Sequence, residues 1–552
     1  MKRLGTSLAL LALTTAACSG GAGMQARPGP GKPGGRIVVA ITEPGALDPA
    51  RAYDPAGEQV QSLLCEPLIT RDPRTGKLTT RGLASYWITT SRGSQLTVRL
   101  RKGLRFSDGT KVNANDVLAS WSRAAAVETA SPDADVFEEL KGYDTVHGLV
   151  ETDDTTALTK LKGVAPLSDT SLSFTLSQRD AAVVERLSHP ITAITPGRAG
   201  QDARFATRPV CIGPYALSTR IATSAKSILL TRSAHYYGAN TAFDSGGRGY
   251  ADSIEFRVFA SRAAAVAAFR AGSVDMAPVP TELLDQPVPP GASLVHAPNG
   301  TVDYLGLPTG NGSPYADPAV RRALSEALDR SALARVAFRG AALPATGFVP
   351  PSAGGDFRTD ACGDAVQPAT DLSALRATVK AATLGKPGLS LSYPDVDVNA
   401  AVAREVQRQW KTALGLDVTL DPLTPGSFLQ KATSADGFRG AFLEGWRGLS
   451  PSAEDYLAPL LSGAATGTSN IAHYSQPAFE RALREARQDE DTSGRRLAYQ
   501  GLEDKACQSL PLIPLVFREW SYLVRTSKLS TSNASWTDKA SGLLDLRDVW
   551  LS

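Results

Sequence analysis

The sequence contains little that would mark it as an enzyme, a metal protein or a nucleic-acid-binding protein. Its five histidines lie singly along 552 residues, which argues against a transition-metal site built from neighbouring ligands. The net charge is only +3, so no strong field favours nucleic acid or anionic lipid. The motifs G-x-S-x-G, H-E-x-x-H and G-x-x-x-x-G-K-[S/T] do not occur. We therefore predict a binding protein with no metal, no cofactor and no nucleic-acid partner; a site assembled from distant residues is the remaining alternative.

Long apolar runs are also missing, and one short run lies near the N-terminus. Leu8–Leu13 is too short to span a bilayer, and it is followed by small residues that end at Cys18. This arrangement resembles a bacterial lipoprotein signal peptide at 1–17, with Cys18 lipidated. Thr15 departs from that pattern, so a plain secretory leader is the alternative. Residues 18–35 are rich in Gly, Pro, Ser and Ala and predict a flexible tether. We expect an exported protein, anchored to the outer face of the cytoplasmic membrane.

The most informative stretch that is present runs from Leu96 to Arg123. Apolar and polar residues alternate over Leu96–Arg101, which predicts a strand with one buried face. The residues Ser, Asp, Gly and Thr at 107–110 favour a turn. Asn113 offers an N-cap oxygen with Asp116 three residues later, so an amphipathic helix should follow.

The order of residues in this stretch, LRKGLRFSDGTKVNANDV followed by SWSR, resembles a known family signature. The family is the peptide-class (family 5) extracellular solute-binding proteins of ATP-binding-cassette importers, and the likeness is strongest to oligopeptide-binding proteins. Gly213-Pro214-Tyr215, the helix at Val320–Arg330 and the segment Asn470–Tyr474 also resemble that family. The resemblance covers roughly residues 36–552.

The resemblance implies an α/β fold with two lobes, the type II, cluster C periplasmic-binding-protein fold, and an additional third domain. A strand, a helix ended by Gly272 and a further strand between Ile254 and Met276 independently predict a parallel βαβ unit. The expected boundaries are lobe I at 36–66, 190–300 and 512–552, the additional domain at 67–189, and lobe II at 301–511.

Four cysteines remain after Cys18, and an even number in an exported protein favours two disulfides. Three connectivities are possible, and buried free thiols are the alternative. We favour Cys65 with Cys211 and Cys362 with Cys507, because this pairing keeps each bond within one lobe.

The resemblance further implies a function in solute capture. The expected protein is a monomer that binds a peptide or peptide-like solute between its lobes, closes on it, and delivers it to the permease subunits of an importer. A metal chelate, haem, a sugar or an opine-like compound is an alternative ligand. A secreted hydrolase is the alternative of another class and would show turnover by purified protein, whereas a sensor or chaperone of the same fold would give no uptake defect on deletion.

The same resemblance places residues in the cleft. In relatives a carboxylate three residues after a Trp accepts the α-ammonium group of the ligand, but here that position is Leu449. A buried ammonium without its carboxylate costs about 3–5 kcal/mol, on the order of a hundredfold or more in affinity. Either another carboxylate replaces it, for which we consider Asp133 and Glu444, or the ligand lacks a free α-amino group. The full set of expected ligand-binding residues is Tyr53, Asp54, Asp133, Tyr304, Glu444, Trp446, Arg447, Leu449 and Phe517.

Overall fold

The computed structural model describes residues 33–552, apart from gaps at 92, 151, 153–158, 203, 207, 219–225, 238–248, 310–312, 384–388, 397, 435–436, 467 and 532–534. The predicted signal peptide, Cys18 and the tether up to residue 32 lie outside the described residues. Within the described part of the chain, no helix is both long enough and apolar enough to cross a bilayer.

The described strands lie in one large sheet and three smaller ones. Their bounds are β1 Arg36–Thr42, β2 Thr70–Arg71, β3 Leu78–Thr79, β4 Ala84–Thr90, β5 Gln95–Leu100, β6 Val164–Ser168, β7 Ser171–Thr175, β8 Tyr215–Leu217, β9 Ser227–Arg232, β10 Ser253–Phe259, β11 Met276–Pro278, β12 Ser293–Gly306, β13 Ala342–Pro344, β14 Leu389–Pro394, β15 Val418–Leu423, β16 Ala441–Arg447, β17 Leu512–Val524, β18 Leu529–Thr531 and β19 Val549–Leu551.

The α-helices cover the faces of these sheets. Their bounds are α1 Pro55–Leu64, α2 Ala114–Ala125, α3 Tyr143–Val146, α4 Val183–Arg186, α5 Arg262–Arg270, α6 Pro318–Glu326, α7 Arg330–Phe338, α8 Ser373–Thr383, α9 Asn399–Leu414, α10 Pro425–Ala432, α11 Glu454–Leu461, α12 Pro477–Gln488 and α13 Thr492–Ser509.

The large sheet has the strand order β15-β14-β16-β12-β17-β11-β1-β10-β9-β8, and β13 pairs with β17. Parallel pairing occurs on both sides of its centre, where β1 pairs with β10 and β11, and β14 pairs with β15 and β16. The half that contains β1 is lobe I and the half that contains β14 is lobe II. The two long antiparallel strands β12 and β17 run through both halves and join them. This arrangement confirms the predicted α/β fold.

Strand alternation gives lobe II a hydrophobic core on each face of its sheet. On β12, Tyr304 belongs to one core and its neighbour Leu305 to the other, and Phe442 and Leu443 on β16 divide in the same way. Successive side chains of a strand point to opposite faces, so a sheet covered by helices on both faces needs apolar residues at every position.

The additional domain has its own antiparallel sheet, β4-β5-β7-β6, and its own core. The predicted strand, turn and helix of 96–123 are confirmed as β5 and α2, and Asn113 and Asp116 form the expected capping box. Trp121 on α2 is fully buried, stacks on Phe174 at 5.0 Å between ring centroids, and donates its indole N–H to the Thr192 carbonyl oxygen at 2.9 Å.

Both favoured disulfides are present, so the predicted pairing is confirmed. Cys65 follows α1 and is bonded to Cys211, which precedes β8, so this bond connects the chain before and after the additional domain. Cys362 is bonded to Cys507 on α13 within lobe II. Each bond closes a long loop and therefore restricts the unfolded chain.

Candidate functional site

A cavity of about 570 Å³ lies at the carboxyl ends of β1 and β11, where lobe I meets lobe II. Its wall includes Ile41, Pro280 and Tyr522 from lobe I and its crossing strand, and Phe338 and Val398 from lobe II. The carboxyl ends of parallel strands are where open α/β sheets bind ligands, and the volume falls within the range of about 300–1,000 Å³ that is usual for small-molecule sites.

A second cavity of about 200 Å³ adjoins the first, because Arg447 and Asn299 line both. Glu58, His189, Leu449 and other residues of lobe I, the additional domain and lobe II contribute to its wall, which therefore involves all three parts of the protein. The two cavities together form the candidate site.

An ion pair joins the two lobes at Arg447, a residue that lines both cavities. Arg447, the last residue of β16 in lobe II, donates to both carboxylate oxygens of Glu58 on α1 in lobe I, with Nη1 3.2 Å from Oε2. Burial raises the pKa of Glu58, and the guanidinium of Arg447 opposes that rise. The pair links the lobes directly, so the lobes are in contact across the site.

The two residues predicted on the loop before α1 have different roles. Tyr53 lines the larger cavity and is 62% exposed. Asp54 is the N-cap of α1, and its carboxylate accepts from the backbone N–H groups of Ala56 at 3.1 Å, Gly57 at 2.9 Å and Gly45 at 2.8 Å. These bonds occupy Asp54 in fixing the start of the helix and leave Tyr53 as the side chain on the cavity wall.

Leu449 lines the smaller cavity and also packs against the core of the additional domain. At the position where the family resemblance implies a carboxylate, this chain thus has an apolar contact between lobe II and the additional domain.

The two carboxylates considered as replacements do not line either cavity. Asp133 lies 3.9 Å from Nε2 of His189, which is on the wall of the smaller cavity. Glu444 on β16 lies opposite Tyr304 of β12, and its carboxylate accepts from the backbone N–H of Gly445 at 3.0 Å. Burial is the main cause that raises its pKa to about 7. Asp133 therefore lies beside a residue of the cavity wall without lining the cavity itself. Glu444 is a largely buried group of lobe II.

Three predicted aromatic residues have positions in or beside the core of lobe II. Tyr304 and Phe517 are each 1% exposed, and Tyr304 meets Phe442 edge to face. Trp446 packs against the same core and donates its indole N–H to the Asp455 carbonyl oxygen at 2.7 Å. These rings therefore pack in or against the hydrophobic core of lobe II and do not line either cavity.

Sequence reasoning missed the group of cavity residues that follows Phe517 on β17. Arg518, Glu519, Trp520, Ser521 and Tyr522 all line the larger cavity. The signal was a pair of charged residues in the middle of the apolar strand LIPLVFREWSYLV. Arg518 is held by Asp303, with its Nε 2.8 Å from each carboxylate oxygen.

Arg262, the first residue of α5, is a second cavity residue that was missed. Its guanidinium lies 5.3 Å from the ring centroid of Trp520. Nothing in the local sequence connects residue 262 with residue 520, so only the fold reveals this contact.

Residues 79–468 match the family described as bacterial extracellular solute-binding proteins, family 5. The glutathione-binding protein GsiB of Escherichia coli K12 is 28% identical over 502 residues, covering 87% of this chain and 88% of GsiB.

Two solved structures share the fold. Clavulanic acid biosynthesis oligopeptide binding protein 2 superposes with a TM-score of 0.78 at 21% identity, over 94% of this chain and 96% of that one. The binding protein AgaA from A. tumefaciens R10, in complex with agropinic acid, gives 0.70 at 20% identity, over 94% and 99%. Because the family match spans more than half of its residues, the chain belongs to family 5 of the bacterial extracellular solute-binding proteins, the peptide-class binding proteins of ATP-binding-cassette importers.

Proposed function

We propose that this protein captures a peptide or peptide-like solute in the cavity of about 570 Å³ and delivers it to the permease subunits of an importer. The observation that carries the proposal is the position of this cavity between two lobes that β12 and β17 join within the described sheet. Such a site can open and close by movement about two strands, and a ligand that contacts both lobes favours the closed form.

The ion pair between Glu58 and Arg447 supports this mechanism. It joins α1 of lobe I to β16 of lobe II beside the cavity, so it forms only when the lobes approach each other. A ligand in the cavity and this pair would therefore favour the same closed arrangement. Lipid on Cys18 would hold the protein near the permease, and we propose that it acts as a monomer.

Family membership leaves the identity of the solute open, because GsiB binds glutathione and AgaA holds agropinic acid. The peptide-like ligand is supported here by the mixed wall, which combines aromatic residues with several charged groups. Aromatic side chains bury large areas of varied ligands, and a few charged groups orient them.

Native mass spectrometry of the purified protein tests this function. We expect a retained small molecule that is released on denaturation and that raises the melting temperature when added back. Arg447→Gln should weaken its binding about tenfold or more, since the closed form loses a contact between the lobes, whereas Arg322→Met, which removes an exposed charge from α6, should leave binding unchanged. Hydrolysis of the released compound by the protein, or the absence of any bound or binding solute, would contradict the proposal.

The same measurement tests the two replacement carboxylates. If Asp133→Asn and Glu444→Gln both bind the solute with unchanged affinity, neither residue faces the ligand.

A further inference from the structure

The charged residues on the wall of the larger cavity differ in whether the protein neutralises them. Arg447 is paired with Glu58, and Arg518 is paired with Asp303. Arg262 forms no ion pair or side-chain hydrogen bond with any described residue, although it lines the same wall. The larger cavity therefore contains one guanidinium whose charge the described protein does not balance.

Two carboxylates line the same cavity, and neither is within ion-pair distance of Arg262. Glu282 is exposed to solvent. Glu519 precedes Trp520 on β17, and consecutive side chains of a strand point to opposite faces. Burial raises the pKa of Glu519, and no attraction from Arg262 opposes that rise.

The position of Arg262 in its helix is unfavourable for a positive charge. It follows the N-cap Ser261 and is the first residue of α5, where the helix dipole is positive. A cation at this end costs stability, and no carboxylate of the described residues pairs with Arg262 to offset that cost.

The surroundings of Arg262 prepare it for an anion. The guanidinium lies over the ring of Trp520 in a cation–π contact, and no described side chain accepts a hydrogen bond from it, so its N–H groups are available as donors. Tyr522 lies two residues further along the same face of β17, and both Arg262 and Glu58 affect its pKa. Burial raises the pKa of Tyr522, Arg262 lowers it and Glu58 raises it. Arg262 thus lies in the same part of the cavity as the pair that joins the lobes.

We propose that the ligand carries an acidic group, in the simplest case a carboxylate, that binds the guanidinium of Arg262. The inference rests on the proposed function, because it takes the larger cavity as the ligand site. A bidentate contact between a guanidinium and a carboxylate is strong and directional. It would orient the solute from lobe I, whereas Leu449 of lobe II presents no charge to the smaller cavity.

The test compares the wild type with Arg262→Gln, and with Arg270→Gln as a matched control. Arg270 ends the same helix, is exposed, donates to the Pro287 carbonyl oxygen at 3.0 Å and does not line the cavity. The probes are a mixed-sequence tripeptide pool with free C-termini and the same pool with amidated C-termini, measured by native mass spectrometry and calorimetry.

The wild type and Arg270→Gln should bind the free acids about tenfold or more tightly than the amides, and Arg262→Gln should bind both pools equally. Equal binding of acids and amides by the wild type, or a preference for acids that survives in Arg262→Gln, overturns the inference.

If neither pool binds any of the proteins, the peptide-like form of the proposed function is wrong, and a second pair of probes decides the inference separately. Succinate should raise the melting temperature of the wild type more than succinamide does at equal ionic strength, and this difference should vanish in Arg262→Gln. Equal shifts for the two compounds in the wild type overturn it.

Discussion

Two regions of this protein contain arginines that are partly or fully removed from solvent. The regions differ in whether each arginine is paired with a carboxylate. Between the additional domain and lobe II, Arg186 on α4 contacts Asp180 and lies 3.6 Å from Glu454 on α11. Glu454 also accepts from Arg487 at 2.6 Å and from the Tyr499 hydroxyl at 2.7 Å. In the larger cavity, Arg262 has no such partner among the described residues.

The difference separates charges that hold the protein together from charges that a solute can use. Arg186, Asp180 and Glu454 have side chains that are 6%, 1% and 3% exposed, so they are too deeply buried to remain charged without each other. Arg262 is only partly buried, so solvent can stabilise its charge until a ligand replaces that solvent. Pairing thus separates Arg262 from Arg186 and also from Arg447 and Arg518, the paired arginines on the same cavity wall.

The largest expected effect is on stability, at the interface. Arg186→Met should lower the free energy of unfolding by about 3–5 kcal/mol, because Asp180 loses the cation that compensates its burial and Glu454 loses one of the two guanidinium groups beside it. Urea denaturation at pH 7 measures the change.

Arg322→Met is the matched control for this substitution, since its pair with Glu326 on α6 lies at the surface and should contribute about 0.5 kcal/mol or less. A loss at Arg186 no greater than the loss at Arg322 would show that the interface charges are solvated rather than paired.

Glu444, for which the effect of burial outweighs the attraction of Arg518, should give an intermediate effect of opposite sign. Burial raises the pKa of Glu444 to about 7, above its ordinary value of 4.5, so the folded protein holds this proton more tightly than the unfolded chain. Its contribution to stability is therefore greatest below pH 4.5 and is lost as the pH rises to 7. Glu444→Gln removes the titrating group and should be more stable than the wild type at pH 8 by about 1–3 kcal/mol.

Thermal unfolding of both proteins from pH 5 to pH 8 measures this gain, with Glu444→Asp as the variant that keeps the acid. Parallel curves for wild type and Glu444→Gln would mean that Glu444 titrates normally.

The sequence predicted the parts of the fold that depend on neighbouring residues. The alternation at 96–101 and the Asn113–Asp116 capping box are local, and β5 and α2 form as expected. The helix at 318–326 follows in the same way from Asp317, whose carboxylate caps it, and from Pro318 at its first position. The disulfide pairing followed from the expectation that each bond stays within one lobe.

The site was predicted less well, because it depends on which face of a strand meets which partner. Tyr304 and Phe517 were expected in the cleft as large aromatic residues near the crossing strands, but the pleat turns both into the core of lobe II. A shift of one residue along a strand exchanges the buried and exposed faces, and the sequence alone does not show which face a strand buried on both sides presents to a cavity. The contact between Arg262 and Trp520 is set by packing between distant segments and has no local signal.

The smallest expected effect on stability is at Arg262, and it completes the contrast with Arg186. Replacement by Gln removes a cation from the first position of α5, which should stabilise the helix by about 0.3–1 kcal/mol. It also removes the cation–π contact with Trp520, which should cost about 0.5–1 kcal/mol. The two effects nearly cancel, so the free energy of unfolding should stay within about 0.5 kcal/mol of the wild type while the preference for acidic ligands is lost.

Urea denaturation without ligand measures the free energy of unfolding. The control is Arg270→Gln, at the favourable end of the same helix, which should lose a few tenths of a kcal/mol. A loss of about 2 kcal/mol or more in Arg262→Gln would instead give Arg262 a structural role like that of Arg186, since a residue that contributes to binding alone has little to lose in the free protein.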